Sequence, residues 1–535
     1  MDENAFIIIL AIWIPQAIYQ ALSWIYWIQV KEYRMDRFLL LFDSRDGRKN
    51  LEIYLIILKL ILLLAAAILQ NPLFIFIAFL FCNFNLFLAI VQRRMRRPIW
   101  TLRAQRLFGT SLFAVGFALV AYFLLNQSLF TVFLVGEAIV LLSPFIGIIW
   151  TTPSVLLTKN KEIKLAKAHL EKFKPTVVGI TGSYGKTTTK EFVAHLLSQK
   201  YDTAKTTGSE NTEFGIARKT MSFVQETTKF FVVEMGAYKL SEIKKLSSIV
   251  SPSVGVITGI ESQHLSLFGS LENIIKAKYE LVESLPRGGI AIFNLSNKYC
   301  QRMYSWAKKE KRWKVYGYFF RKAEKGKISK RADLVTQIIR ADIDGVDFEV
   351  LYKGQKKKLL ARLHGTHFIE NLAGSILVAK LLGVSWEEIS SGCKTIAMPE
   401  KIMEVYRGLN DLTIIDDSYN STPHGFIAAL KYLSLFPNKK KFVVTSGIIE
   451  LGETSHRIHN DLGTRMKQEV NKIYLTNGDF YNDIVSGLEG KEKLILANDK
   501  GMLEKMIDKL KIENDAVVLL EGRMPSIVTT ALRAQ

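Results

Sequence analysis

The residues best suited to chemistry form one unbroken run, Gly179-Ile-Thr-Gly-Ser-Tyr-Gly-Lys-Thr-Thr-Thr189. Backbone N–H groups of a glycine-rich turn can wrap phosphate oxygens, the lysine can reach the outer phosphates, and the hydroxyl after it can ligate Mg2+. Gly182, Ser183, Gly185, Lys186, Thr187 and Thr188 are therefore expected to bind a nucleotide. The spacing is irregular: the usual first glycine of such a loop falls at Ile180, and Gly179 stands one residue early. Further along, Glu234 closes a β-branched run where it can join Thr187 on one Mg2+, and Asp417 and Asn420 follow another such run. Open α/β sheets place ligands just beyond the carboxyl ends of their strands. His367 and Asn371, four apart in a helical stretch, share a face.

These groups need sheets to hold them. Thr176–Ile180, Phe230–Glu234, Val254–Thr258 and Ile290–Asn294 read as buried parallel strands, with a helical Glu191–Leu197 just after the phosphate loop. The charged stretch Lys298–Lys358 is expected to complete this sheet, and a helix to include Phe368–Leu382. Thr413–Asp417, Lys441–Thr445, Lys472–Thr476 and Ala516–Leu520 repeat the pattern as a second, Rossmann-like doubly wound domain.

The 535 residues carry 71 Lys+Arg against 50 Asp+Glu, a net charge of +21, yet 49% are apolar. Charge and apolarity separate along the chain. Residues 1–150 hold 13 basic and 8 acidic side chains, +5, against 58 and 42, +16, in the remainder. Ala5–Ile28, Leu51–Leu69, Leu73–Val91, Leu107–Leu125 and Leu129–Trp150 each approach the roughly 20 residues of a membrane-crossing helix. Gln29–Asn50 and the loop after the third stretch are rich in Lys and Arg; Met1–Asn4, Gln70–Pro72 and Asn126–Ser128 carry neither. The positive-inside rule puts the N-terminus outside a plasma membrane and everything after Trp150 in the cytoplasm. The first stretch lacks the basic start of a signal peptide and is too long for its apolar core. Within the spans, Lys59 is expected to snorkel and Glu137 to face a neighbouring helix, with a substrate role as the alternative.

The organisation expected is a membrane α-helical region of five spans at 1–150, a basic linker at 151–174, an α/β phosphate-loop domain at 175–395 and a Rossmann-like domain at 396–535. Three scattered cysteines exclude a disulfide framework or a thiolate metal site. The basic clusters Lys308–Lys314 and Lys356–Lys358 lack interleaved stacking aromatics, which points to an anionic membrane surface and not to nucleic acid.

Taken in order, the phosphate loop, Val233-Glu234-Met235-Gly236-Ala237, the segments His264–Ser270 and Ala277–Glu280, His364–Asn371, Asp416–Pro423 and Glu450-Leu-Gly452 with His459 resemble the Mur ligase family. These are ATP-dependent amide-forming enzymes, and the likeness, over about 175–535, is greatest to members that add D-alanyl-D-alanine to a peptidoglycan precursor. The resemblance implies ATP and Mg2+ as cofactors and Lys186, Lys278 and His264 as catalytic residues. It implies Thr187 and Glu234 on one Mg2+, with His264 and a CO2-carbamylated Lys278 at a second. It further implies Asn211 near the γ-phosphate, Asn371 on the adenine, Asp417 on the ribose with Asn420 beside it, and a last domain that carries the incoming amine.

The sequence departs from the family at four places. The five spans stand where relatives have a uridine-nucleotide-binding domain, and Lys401 is the nearest cation where a Gly-Arg is usual. Glu521-Gly522-Arg523 replaces Lys-Gly-Ser-Arg, and Gly447-Ile448-Ile449 replaces Gly-Asp-Met. The expected reaction is amide formation on a cell-envelope precursor through an acyl phosphate, from a small-molecule amine donor and a lipid-linked or membrane-proximal carboxylate acceptor. The alternatives are a poly-γ-glutamate-type membrane ligase and a non-catalytic, ATP-binding membrane scaffold.

Overall fold

A computed structural model describes the chain except residues 1–2, 44–46, 49–50, 92–94, 126–128, 208–210, 262–267, 322–330, 420, 450, 452–453 and 534–535. The chain divides into two compact units, Met1–Lys161 and Glu162–Gln535.

The first unit is helical: Glu3–Val30, Met35–Asp43, Ile53–Leu69, Leu73–Val91, Leu102–Leu125 and the start of Leu129–Phe173. Large side chains fill its interior, with Trp13 and Phe79 each packed edge to face on Phe133, and Trp24 edge to face on Phe145 and tilted against Phe38. Meanwhile Ile57, Ile61, Leu64, Phe84 and Phe87 point outward and are exposed. An apolar outer surface on helices whose interior is also packed is what a lipid solvent asks for. Three helices, not five, are long and apolar enough to cross a membrane among the described residues: Ile7–Val30, Leu73–Val91 and Phe130–Phe173. Ile53–Leu69 has only 17 residues, about 26 Å at 1.5 Å per residue.

Residues 151–173, expected as a linker, are helical and continuous with the apolar stretch before them, in one helix of 45 residues, Leu129–Phe173. Its Lys-rich turns read as a solvated connector, yet Ala166 and Leu170 are buried against Val177 and Ile216. Lys59 does not snorkel. It is 2% exposed and pairs with the fully buried Glu137 at 2.5 Å.

The second unit holds two sheets. β1 (Thr176–Thr181), β2 (Thr203–Lys205), β3 (Phe230–Glu234), β4 (Val254–Ile257), β5 (Ile290–Asn294), β6 (Lys314–Arg321), β7 (Leu334–Ala341), β8 (Val346–Tyr352) and β9 (Gln355–Ala361) form the first, in the order β2-β3-β1-β4-β5-β6-β7-β8-β9. Pairing is parallel from β2 to β7 and antiparallel through β8 and β9. The stretch 298–358 thus does extend the sheet, through β6, β7, β8 and the start of β9, whose consecutive lysines are exposed at its edge. Helices Lys186–Ser198 and Phe368–Leu381 pack on one face through Phe192, Leu196, Leu372 and Ile376.

β10 (Glu404–Arg407), β11 (Thr413–Asp417), β12 (Lys440–Thr445), β13 (Lys472–Leu475), β14 (Leu494–Leu496) and β15 (Ala516–Glu521) make the second sheet, in the order β10-β11-β15-β12-β13-β14. Only β10 runs antiparallel to its neighbour. In this register Asp417 lies opposite Glu521, and Glu521 opposite Thr445, at the carboxyl ends of three central strands.

Candidate active site

β1 ends at Thr181 and the chain turns through Gly182-Ser183-Tyr184-Gly185 into helix Lys186–Ser198. Gly185 precedes the helix in the left-handed region at φ 73°, and a Cβ there would collide with Asn371 Oδ1. The early Gly179 has a packing role instead: it lies inside β1, where a Cβ would stand 2.8 Å from Leu281 Cδ1. The loop is braced from the next strand. Ser183 N–H donates to Gly259 O (2.6 Å), the Ser183 hydroxyl to Glu261 O (3.1 Å), and Thr258 Oγ1 to Tyr184 O (2.5 Å). A helix start leaves its first N–H groups without intrahelical acceptors, so Lys186, Thr187 and Thr188 present a row of donors to an anion.

Lys186 Nζ folds back over the loop to Ser183 O at 3.1 Å. Burial pulls its pKa below the usual lysine value, and the nearby Glu234 carboxylate opposes the shift. Thr187 Oγ1, in the first turn of helix Lys186–Ser198, donates to Glu234 Oε2 at 2.9 Å, at the end of β3, the neighbour of β1. Glu234 is 3% exposed and its backbone N–H donates to Thr206 Oγ1. The fully buried Lys190 Nζ stands 3.2 Å from Glu191 Oε1 and 3.9 Å from Glu234 Oε2. A paired hydroxyl and carboxylate suit Mg2+, which takes few protein oxygens and completes its octahedron with phosphate and water. Among the described residues, no three His, Cys, Asp or Glu side chains are grouped to hold a metal alone.

The side chain of Asn211 lies over Gly236, just past β3, where a Cβ on that glycine would strike it. Lys278, on helix Leu271–Glu283, is 4% exposed, donates to Ala237 O at 3.3 Å and sits 5.7 Å from the Phe268 ring centre. Burial and the charge of Lys186 bring its pKa down to about 7, against the pull of Glu242, Glu280 and Glu234. As an ammonium it would repel a second Mg2+; only its carbamate would fit the metal role. The loop, Glu234, Asn211 and Lys278 therefore come together, while His264 lies outside the described residues.

Asn371 sits against the loop, its Oδ1 accepting from Thr189 Oγ1 at 3.4 Å. His367 does not pair with it. Burial pushes the His367 imidazole down to about 4, and its Nδ1 has no partner. His459 is also structural: Nε2 accepts from Ile448 N–H at 3.0 Å and the ring stacks on Phe480.

In the second sheet Asp417 Oδ1 accepts from Met403 N–H at 3.2 Å, and Glu521 Oε1 from Ser421 Oγ at 2.5 Å. Both carboxyls are buried side by side, so burial raises both pKa values, Asp417 to about 7. Asn420, Glu450 and Gly452 lie outside the described residues. Sequence reasoning missed Lys190, Thr206 and the Asp417–Glu521 pair. Of these only Lys190 carried a signal, four residues after Lys186 and hence on the same helix face.

Residues 180–379 match the Mur ligase middle domain and residues 403–524 the Mur ligase glutamate ligase domain. The UDP-N-acetylmuramoyl-tripeptide–D-alanyl-D-alanine ligase of Borreliella burgdorferi is 32% identical over 344 residues, 61% of this chain and 68% of the relative. The chain belongs to the Mur ligase family. The ligase of the same description from Bacillus subtilis is 29% identical over 301 residues, 56% of this chain and 62% of the relative, so under two thirds of that relative's length is spanned. Among solved structures, the MurF ligase of Thermotoga maritima in complex with ADP is 26% identical, with a TM-score of 0.54 over 68% of this chain and 80% of that one. A MurF structure from Acinetobacter baumannii, at 24% identity, shares the fold with a TM-score of 0.61 over 70% and 79% of the two chains. Residues 1–179 of this family member lie outside both matched domains.

Proposed function

We propose that the chain is an ATP-dependent C–N ligase that forms an amide bond on a peptidoglycan-type precursor at the cytosolic face of the membrane. The observation that carries this reading is the Thr187–Glu234 pair beside Lys186 on a braced phosphate loop. Moving a phosphoryl group from ATP to a carboxylate requires the charge on the transferring oxygens to be offset. Lys186 supplies a fixed cation, and the N–H row of helix Lys186–Ser198 adds its partial positive charge. Mg2+ held by Thr187 and Glu234 would supply Lewis acidity at those oxygens. Lys190 stands behind Glu234 and holds its carboxylate in place.

Lys278 suits carbamylation, since an amine with a pKa near 7 is partly neutral at physiological pH and can attack CO2. The neutral amine nitrogen bonds to the CO2 carbon, one C–O π pair moves onto oxygen and one N–H proton leaves, so an anion replaces a neutral amine beside Lys186; counted from the ammonium, two protons are released. In this reading His264 joins it at a second Mg2+, Asn211 faces the γ-phosphate, Asn371 the adenine, and Asp417 with Asn420 the ribose. The second sheet brings the amine, an amino acid or dipeptide, to the acyl phosphate, and closure over the site excludes water. The apolar helices of the first unit would hold the enzyme in the membrane, next to a lipid-linked or membrane-proximal carboxylate acceptor, with the basic surface toward anionic lipid.

The test is phosphate release by the purified full chain with ATP, candidate amines and envelope lipids. Dependence on both substrates, abolished by Lys186→Ala and Glu234→Ala, supports the ligase. ATP binding without turnover under any pairing overturns it in favour of a nucleotide-responsive scaffold.

A further inference from the structure

Two arginines of the helical unit are held in place without an acid. They stand at the start of helix Leu102–Leu125, Arg103 second and Arg106 fifth, three apart and so on one face. Arg103 Nη2 donates to Thr152 Oγ1 at 3.3 Å and Arg106 Nη1 to Ser154 Oγ at 3.2 Å, both on helix Leu129–Phe173. Each hydroxyl spends its own proton on that helix's backbone, Thr152 on Ile148 O and Ser154 on Thr151 O, so toward the arginine it acts as acceptor alone. The Arg103 guanidinium also lies over the Tyr33 ring, 4.3 Å from its centre, and Tyr33 OH shares a hydrogen bond of 3.2 Å with Thr101 Oγ1.

The pair is thus positioned but not neutralised. Among the described residues no carboxylate is paired with either guanidinium. The acids of the neighbouring turn are engaged elsewhere, Asp36 by Arg34 at 3.0 Å and Glu32 by Arg37 at 2.8 Å. Arg103 Nε is buried and has no acceptor at all. Each guanidinium carries five N–H groups and has placed one of them on a hydroxyl, which leaves most of both forks to a ligand. Two like charges on one face repel, and the first turn of a helix is the end where cations are disfavoured. Two uncompensated positive charges with planar forks match an anion of charge near −2 that offers several oxygens. A phosphomonoester carries about that charge at neutral pH on three oxygens, whereas a phosphodiester has one charge on two.

Position along the helices says where such a phosphate comes from. At 1.5 Å per residue, Arg103 and Arg106 stand within about 6 Å of the start of their helix. Thr152 lies about 35 Å along a helix that starts at Leu129, past the roughly 30 Å of a hydrocarbon layer. The arginines and their hydroxyl partners are therefore at the edge of that layer and not inside it. On the same stretches Ile99, Trp100, Leu102, Ile149 and Trp150 are exposed, an apolar rim for acyl chains with tryptophan at the depth it favours. By the positive-inside rule this edge is cytosolic. We infer that Arg103 and Arg106 bind the doubly charged phosphate head of a membrane lipid, a phosphomonoester or a diphosphate, in preference to the singly charged phosphodiester of bulk anionic lipid. This rests on the membrane placement proposed above and narrows the lipid-linked acceptor to one whose carrier bears such a head; it does not require the ligase chemistry.

The full chain is placed in phosphatidylcholine nanodiscs doped with phosphatidic acid, or with phosphatidylglycerol at twice the fraction to match the charge, and lipid retained on release is counted by native mass spectrometry. The expected result is one retained phosphatidic acid and no phosphatidylglycerol, with retention lowered roughly tenfold by Arg103→Gln and by Arg106→Gln, the size of one lost charge-assisted hydrogen bond. Arg103→Lys, which keeps the charge and loses the fork, lowers it as well. Arg34→Gln, at a charge that Asp36 already meets, leaves it unchanged. Equal retention of the two lipids, wild-type retention by Arg103→Lys, or an equal loss with Arg34→Gln reduces the pair to general surface charge and overturns the assignment. Displacement of the lipid by millimolar inorganic phosphate overturns it too, in favour of a soluble anion. Phosphate release from ATP is followed on the same preparations. Its absence with retention intact strikes the ligase reading alone, and no retention with release intact strikes this site alone.

Discussion

Replacing Asp417 by asparagine removes the one carboxyl of the second sheet that titrates near neutrality while keeping its shape. Asp417 is 7% exposed, faces the fully buried Glu521 in register, and has its pKa raised by burial from the ordinary 3.8 to about 7. Each tenfold gain in proton affinity is worth about 1.4 kcal/mol, so the rise corresponds to up to about 4 kcal/mol of linked stability. The sign follows from proton counting. Between pH 4 and 7 the folded state keeps a proton that the unfolded chain has released, so this stability is full below the unfolded pKa and is lost as pH rises through about 7. Wild-type protein should therefore weaken from pH 5 to pH 8, and Asp417→Asn, which mimics the protonated form, should flatten that slope and be the more stable at pH 8. Urea titrations of the full chain, read by hydrogen exchange in peptides covering β11 and β15, measure it. An Asp417→Asn variant with the wild-type slope would refute the argument that burial beside Glu521 holds the proton.

Three further outcomes follow from the loop and its surroundings. Gly185→Ala forces an L-residue to φ 73° and into Asn371, so ADP affinity measured by calorimetry should drop at least about tenfold, with partial recovery on adding Asn371→Ala; an unchanged affinity would contradict the geometry. Lys190→Met leaves the buried Glu234 without its neighbouring cation and should destabilise the second unit by about 3 kcal/mol in urea unfolding. Lys278→Ala should lose phosphate release, and short carboxylic acids in the buffer should restore part of it. Wild-type activity should rise with added bicarbonate, more so as pH climbs through about 7 and the amine loses its proton. A Lys278→Ala enzyme that no acid restores would remove the carbamate from the mechanism.

Much of this was legible in the chain itself, for physical reasons that differ by element. β1, β3 and β5 announce themselves as short β-branched runs because both faces of a parallel strand are buried, and the phosphate loop because tight turns against an anion demand glycine. Ala166 and Leu170 were hidden among lysines, where two small or apolar positions per two turns suffice to seat a helix but do not stand out from a solvated run. The membrane reading overcounted for a related reason: hydropathy registers apolar stretches, not whether a helix such as Ile53–Leu69 is long enough. Asp417 and Glu521 meet only through the strand order β11-β15-β12, which places the last strand between two earlier ones, and no local pattern encodes that crossing.

The brace on the phosphate loop has a consequence for binding rates. Its bonds run from Ser183 and Tyr184 to Gly259, Glu261 and Thr258, all groups of the protein itself. The entropy of ordering those loop residues, about 1–2 kcal/mol apiece, is thus spent when the sheet forms and not when nucleotide arrives. Association of ATP should then proceed as a single phase proportional to nucleotide concentration, with no slow step of loop ordering ahead of it, and nucleotide residence time should be set by how quickly Lys186 and the N–H row release the phosphates.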